Sequence, residues 1–174
     1  LALPPNVALV VHAGAPDRAA WLAQARQSGH DVLIGVPMEP TDYPRNDPGP
    51  QTLLTGLPAA ANAQRLAAAL AQDGDAAIGI APVQGEAFLR DDRALAAVFD
   101  TLQQRELMFA DTTKARSPAG ASPVATSPAP NSPGAATLAA LGRVPFVQAD
   151  RVMDAADGRD ALAAGLSALE NVAR

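Results

Sequence analysis

The sequence predicts an α/β fold built on a parallel sheet. Three observations lead there. Short apolar runs almost free of polar residues recur along the chain, as strands of a parallel sheet require. Each run is followed by a stretch with helical amphipathicity. Strand and helix alternate in units of about thirty residues, the length of a βαβ crossover. Doubly wound sheets and (β/α) barrels share this order. No Gly-x-Gly-x-x-Gly follows any run and there is no Walker lysine, so a nucleotide-binding fold has no support.

Residues 7–11 (VALVV) read as a first strand buried on both faces. A turn through Ala13, Gly14 and Ala15 leads into a helix over 16–28, with Trp21, Leu22 and Ala25 on its buried side and Gly29 as its stop. Residues 31–36 (DVLIGV) are the second strand, which Pro37 should end because it has no N–H to pair. A helix over 58–72 follows a long loop, with Leu66 and Leu70 four residues apart, and Asp73-Gly74-Asp75 closes it. Residues 76–80 (AAIGI) are the third strand and 82–85 a loop at its end. Asp91 or Asp92 caps a helix reaching about Arg105, with Leu95, Val98, Phe99 and Leu102 on one face. Residues 107–110 (LMFA) are the fourth strand, with Asp111 at its end. Residues 116–134 are rich in Ser, Pro, Ala and Gly, and read as a low-complexity insertion of extended character. A short helix over 135–141 stopping at Gly142, a fifth strand over 144–148 and a last helix over 157–173 complete the order. The whole of 1–174 reads as one domain, trimmed at both ends.

Composition narrows the function classes. Hydrophobic residues are 48 % of the 174, enough for a core, but only 3 % are aromatic. Alanine supplies much of the rest and buries little area, so the core should be thin. A net charge of −5 lacks the basic face that a nucleic-acid backbone or an anionic membrane surface would need. With no cysteine, disulfides, thiolate metal sites and cysteine nucleophiles are excluded. No apolar run approaches a membrane span.

The functional signal concentrates in 31–57. After the second strand comes a polar loop of about twenty residues, long for an ordered connection. It holds Glu39, Asp42 and Asp47 among Pro37, Pro40, Pro44, Pro48 and Pro50. Prolines fix φ and reduce the freedom of the unfolded loop. A stiff acidic loop at the end of a parallel strand is where α/β proteins build sites.

In this stretch the chain resembles the divergent polysaccharide deacetylase family. The resemblance is carried by Gly29-His30-Asp31-Val32-Leu33-Ile34, Pro37-Met38-Glu39-Pro40, Asp42-Tyr43-Pro44, Asn46-Asp47-Pro48-Gly49-Pro50 and Thr52-Leu53-Leu54. Leu3-Pro4-Pro5-Asn6-Val7, Val144-Pro145-Phe146 and Asp150-Arg151-Val152 extend it over most of the chain. It implies an α/β fold of the incomplete (β/α)7 barrel type, seen without its first and last strands. It also implies metal-assisted amide hydrolysis of N-acetylated sugars, with a divalent metal, zinc, held by Asp and His. A periplasmic location and envelope glycan or an envelope protein as partner follow from the same resemblance. Four features of the pattern are outside the sequence or substituted. The family's aspartate pair would precede Leu1, and its late Gly-His-Pro would follow Arg174. Val83 stands in the segment 81–86 where the family has a histidine, and Gly35 and Val36 where another often precedes the proline block. No resident metal is therefore expected from these residues.

The candidates carry competing readings. Glu39 is a site carboxylate or a loop residue capping a backbone N–H. Asp111 is a catalytic carboxylate on the correct edge of a parallel strand or the start of an Asx turn with Thr112 and Thr113. These two are the candidate catalytic residues, and a carboxylate pair would also suit glycoside hydrolysis. Asp42 and Asp47 read as turn formers and as candidate substrate contacts. Tyr43 is the candidate sugar platform, and His12 the candidate contact at the first strand's end. His30 reads as a structural contact or a cation at the C-terminus of the preceding helix, where the macrodipole favours it, and Asp154 and Asp157 as loop and cap residues. Three functions follow: a degenerate deacetylase-like domain that binds glycan, an active deacetylase completed by residues elsewhere, or an envelope scaffold using 116–134.

Overall fold

A computed structural model describes residues 3, 7–71, 76–113 and 134–149. Among them five strands and four α-helices alternate: β1 Leu9–His12, α1 Arg18–Gln27, β2 Val32–Met38, α2 Ala59–Leu70, β3 Gly79–Gln84, α3 Asp92–Gln104, β4 Met108–Asp111, α4 Gly134–Leu141 and β5 Phe146–Gln148. The strands form one parallel sheet in the order β1-β2-β3-β4-β5. Every strand pairs with the next in sequence, so each crossover steps the same way. With right-handed crossovers, that order keeps the helices on one side, as in a (β/α) barrel; a doubly wound sheet would reverse direction.

Period-two alternation divides the side chains. Val32, Ile34, Val36, Met38, Ile80 and Phe109 face the helices and pack with Leu22, Leu66, Leu70, Leu95, Phe99 and Leu102 in one core. Leu33, Ala81 and Ala110 form a separate small cluster, with Met108 against it. The few aromatics are placed for effect: Phe88, Phe99 and Phe109 are fully buried, which thickens a core otherwise rich in alanine.

Local signals explain the helix ends. Gly29 sits at φ 77, where a side chain would be strained, and the N–H groups of Gly29 and His30 bond the carbonyls of Arg26 and Ala25. That is the Schellman arrangement, and it stops α1 as the sequence predicts. Asp91 caps α3, its Oδ1 accepting from Ala94 N at 2.8 Å. Asp91→Ala should lower stability by about 1 kcal/mol in urea titration; Asp91→Asn, which keeps the acceptor, should recover most of it.

The structure corrects several expected boundaries. Pro37 does not end β2, which runs on to Met38. Pro37 faces the β1 side, and β1 has already stopped at His12; there Leu53 N–H bonds the Pro37 carbonyl, so no donor is demanded of the proline. The expected loop 82–85 is largely strand, because β3 continues through Pro82 and Val83 to Gln84. The β3–β4 register is defined only at Gly79 and Ile80, so Pro82 N lies beyond it. β1 starts two residues late and is not buried on both faces: Val10 is 46 % exposed. Trp21 is 51 % exposed, because Leu22 and Ala25 take the inward positions of α1. A 3-10 helix, Phe88–Arg90, lies where sequence periodicity shows nothing. Of the insertion only Gly134 is described, as the first residue of α4; the stop at 73–75, the last helix, Asp154 and Asp157 lie outside the described residues.

Candidate functional site

The C-terminal edge of the sheet gathers polar side chains from all five strands. His12 ends β1, Glu39 follows β2, Gln84 ends β3, Asp111 ends β4 and Gln148 ends β5. Parallel pairing puts all five ends on one edge, the edge on which parallel α/β proteins carry their chemistry.

The acidic loop rises from this edge and is fastened at its return. Leu53 makes an isolated parallel bridge to Met38 and is fully buried with Thr52. Glu39 Oε2 accepts from Thr55 N at 2.6 Å and from Thr55 Oγ1 at 2.9 Å. Its backbone is equally engaged, N–H to the Leu53 carbonyl and C=O from the N–H groups of Ala87 and Phe88. From the helix side, Asn62 donates Nδ2–H to the Leu54 carbonyl at 2.9 Å and accepts Leu54 N–H at 3.1 Å, and the Arg65 guanidinium donates to the Thr52 carbonyl. The loop tip is exposed by contrast. Asp42 and Asp47 face solvent; Asp47 Oδ1 accepts Gly49 N–H at 2.9 Å in an Asx turn, and the Asp42 carbonyl accepts Arg45 N–H. Tyr43 is half-buried, followed by a cis bond to Pro44. Gln84 Nε2 donates to Asn46 Oδ1 at 3.3 Å, joining the tip to β3.

Asp111 is buried at the far end of the row. Its Oδ1 accepts from Thr113 N at 2.9 Å and Thr113 Oγ1 at 2.7 Å, closing an Asx turn, and Oδ2 accepts from Gln148 Nε2 at 3.2 Å. Thr112 Oγ1 donates to the Pro82 carbonyl at 3.0 Å. Both candidate carboxylates therefore hold backbone in place, whatever further task they have.

His12 accepts Gly14 N–H at Nδ1, 2.9 Å away. Partial burial lowers its pKa below the usual 6.5, because desolvation disfavours the imidazolium. The unfolded chain then takes up the proton first as pH falls. The stability this supplies is complete above 6.5 and declines as pH drops through 6.5 toward the lower folded value. His12→Gln should flatten the change in urea midpoint between pH ~7.5 and ~5.5; an unchanged slope would assign it to other groups.

His30 sits at the opposite edge, its Nδ1 3.0 Å from the Val7 carbonyl, as a structural contact would.

Among the described residues the donor set does not fit a divalent metal. Among the described residues no group of three His, Cys, Asp or Glu could hold one. His12, Glu39 and Asp111 make no bond to one another; His12 Nδ1, Glu39 Oε2 and Asp111 Oδ1 each bond a group elsewhere. Beside His12, Gly35 is hemmed in by apolar side chains: a Cβ added to it would lie 2.9 Å from Val83 Cγ2 and 3.1 Å from Val10 Cγ1. The side chains of Val10 and Val83 fill the space that Gly35 leaves. The chemistry these residues offer a ligand is hydrogen bonding.

Sequence reasoning missed Asn62, Arg65, Thr55, Gln84 and Gln148. Asn62 had a signal: it stands four and eight residues before Leu66 and Leu70, a polar residue on the buried face of α2. The two glutamines had none, since the ends of β3 and β5 follow from pairing rather than from local pattern.

The family model of the divergent polysaccharide deacetylases matches residues 1–174. The crystal structure of an uncharacterized protein from Agrobacterium tumefaciens C58 is similar, with a TM-score of 0.77 and 31 % sequence identity over 99 % of this chain. The chain spans 63 % of the length of that protein. No curated protein matches. No described helix is long and apolar enough to cross a membrane. With its parallel sheet of barrel-type strand order, its proline-braced loop and a match over its full length, the chain belongs to the divergent polysaccharide deacetylase family.

Proposed function

We propose that this domain binds N-acetylated cell-envelope glycan in the periplasm without hydrolysing it. The observation that carries this reading is the composition of the strand edge. Where a deacetylase needs convergent metal ligands, the described residues offer Gly35 packed by Val10 and Val83, and no group of three ligating side chains. What remains suits binding. Sugar recognition uses neutral hydrogen-bond donors and acceptors with an aromatic face. His12, Asp42 and Asp47 supply the polar contacts, and Tyr43 the ring. Glu39, through Thr55, keeps the loop wall in shape.

A second reading, a metal-dependent N-acetyl-sugar deacetylase completed by residues elsewhere in the protein, is favoured by the burial of Asp111 at the end of a parallel strand. In that case Glu39→Gln and Asp111→Asn both abolish acetate release. Titration calorimetry of the full-length protein with a tetramer of N-acetylglucosamine, with and without a chelator, separates the two. A metal-free binding site gives equal affinity in both conditions. Binding that disappears on chelation would overturn the binding reading.

A further inference from the structure

We infer that His12 is a fixed neutral hydrogen-bond donor, presenting Nε2–H at the sheet edge to an oxygen of the bound sugar: a hydroxyl or the carbonyl of an N-acetyl group. The identity of that ligand rests on the glycan reading above; the state of the imidazole does not.

The geometry sets the tautomer. Gly14 N–H can only donate, so the Nδ1 that it meets at 2.9 Å must carry a lone pair. The proton of the neutral ring is then on Nε2. Partial burial acts in the same direction, disfavouring the doubly protonated ring. Among the described residues Nε2 has no protein partner, and the side chain is only half-buried. His12 is in register with Gly35, which puts no side chain beside it. A Cβ at Gly35 would stand 3.4 Å from His12 Cα and against Val10 and Val83, so position 35 stays bare. Alternation along β1 puts His12 on the same face as Val10, away from the helices.

A ring in this state has a restricted chemistry. A metal ligand or general base would need a lone pair on the outward nitrogen, and that nitrogen carries the proton. A donor to a neutral oxygen needs what is there. His30 offers an internal contrast. Its Nδ1 faces the Val7 carbonyl, which can only accept, so there it is Nδ1 that carries a proton.

The test uses the full-length protein labelled with 15N-histidine. Long-range 1H–15N correlation should show the Nε2–H pattern for His12 and a protonated Nδ1 for His30 at neutral pH. Binding of the N-acetylglucosamine tetramer should weaken about fivefold in His12→Ala, the factor of one ordinary net hydrogen bond. His12→Gln, whose Nε2–H2 reaches the same place, should recover most of the affinity. His12→Asn, which can still accept from Gly14 but whose shorter side chain does not carry its N–H to the Nε2 position, should not. An Nδ1–H or imidazolium pattern at His12 would overturn the inference. So would unchanged binding in a folded His12→Ala, which would leave the glycan reading standing. A wild-type protein with the expected tautomer that binds no tetramer would overturn the glycan reading and with it the ligand assigned to His12.

Discussion

Phe109→Ala should destabilise the domain by about 3–5 kcal/mol, the range for removing a fully buried aromatic ring. Phe109 is fully buried and central to the layer between sheet and helices. Its ring meets Phe99 of α3 edge-to-face at 5.3 Å and stacks on Phe146 of β5 at 6.0 Å. Its backbone pairs with Ile80 on one side and Phe146 on the other. The substitution thus opens a cavity, removes two ring contacts and loosens the β4–β5 seam. Asp111 and Gln148 are the next pair on the same face of that seam, so their bond should weaken too. Urea denaturation should show a lower midpoint at an unchanged m-value. A loss below about 1 kcal/mol would mean that the alanine-rich surroundings collapse into the cavity.

Asn62→Ala should cost about 2–3 kcal/mol and loosen the acidic loop. The side chain is completely buried and exchanges two hydrogen bonds with the backbone of Leu54. Removing it deprives both the N–H and the C=O of Leu54 of their partner, and leaving polar groups unpaired costs more than the net value of the bonds. Thr55 is the next residue, and its N–H is the donor to Glu39. Hydrogen exchange should therefore accelerate at the Leu54 and Thr55 amides more than in α2 itself. Equal protection in mutant and wild type would show that the Leu53 bridge and Arg65 suffice to hold the loop. Asn62→Asp should not restore stability, because a carboxylate cannot donate to the Leu54 carbonyl.

Much of the fold was legible because its signals are local. Apolar runs mark where strands lie, and the Asp91 cap and the Gly29 stop are written in single residues. The strand ends were less legible, for a physical reason. Pro37 and Pro82 look like terminators, but each lies where no neighbouring strand asks for its missing N–H; that depends on where β1 and the β3–β4 ladder stop. The exposure of Trp21 likewise depends on which helical face meets the sheet, and a helix with a weak apolar stripe does not announce it. At the site, the importance of the 31–57 stretch was legible, and so were its carboxylates. Their partners were not. Glu39 finds Thr55, and Asp111 finds Gln148, only after the loop folds back and β5 pairs with β4. The substitution of Val83 was visible in the sequence, but its packing beside a bare Gly35 needed the β2–β3 register.

The central claim is that this family member recognises glycan at an edge whose described residues do not form a metal centre. Acetate release from the N-acetylglucosamine tetramer by the full-length protein, in saturating zinc, tests it most directly. Release no faster than the protein-free blank is the predicted result. Zinc-dependent release that Asp111→Asn abolishes would contradict it.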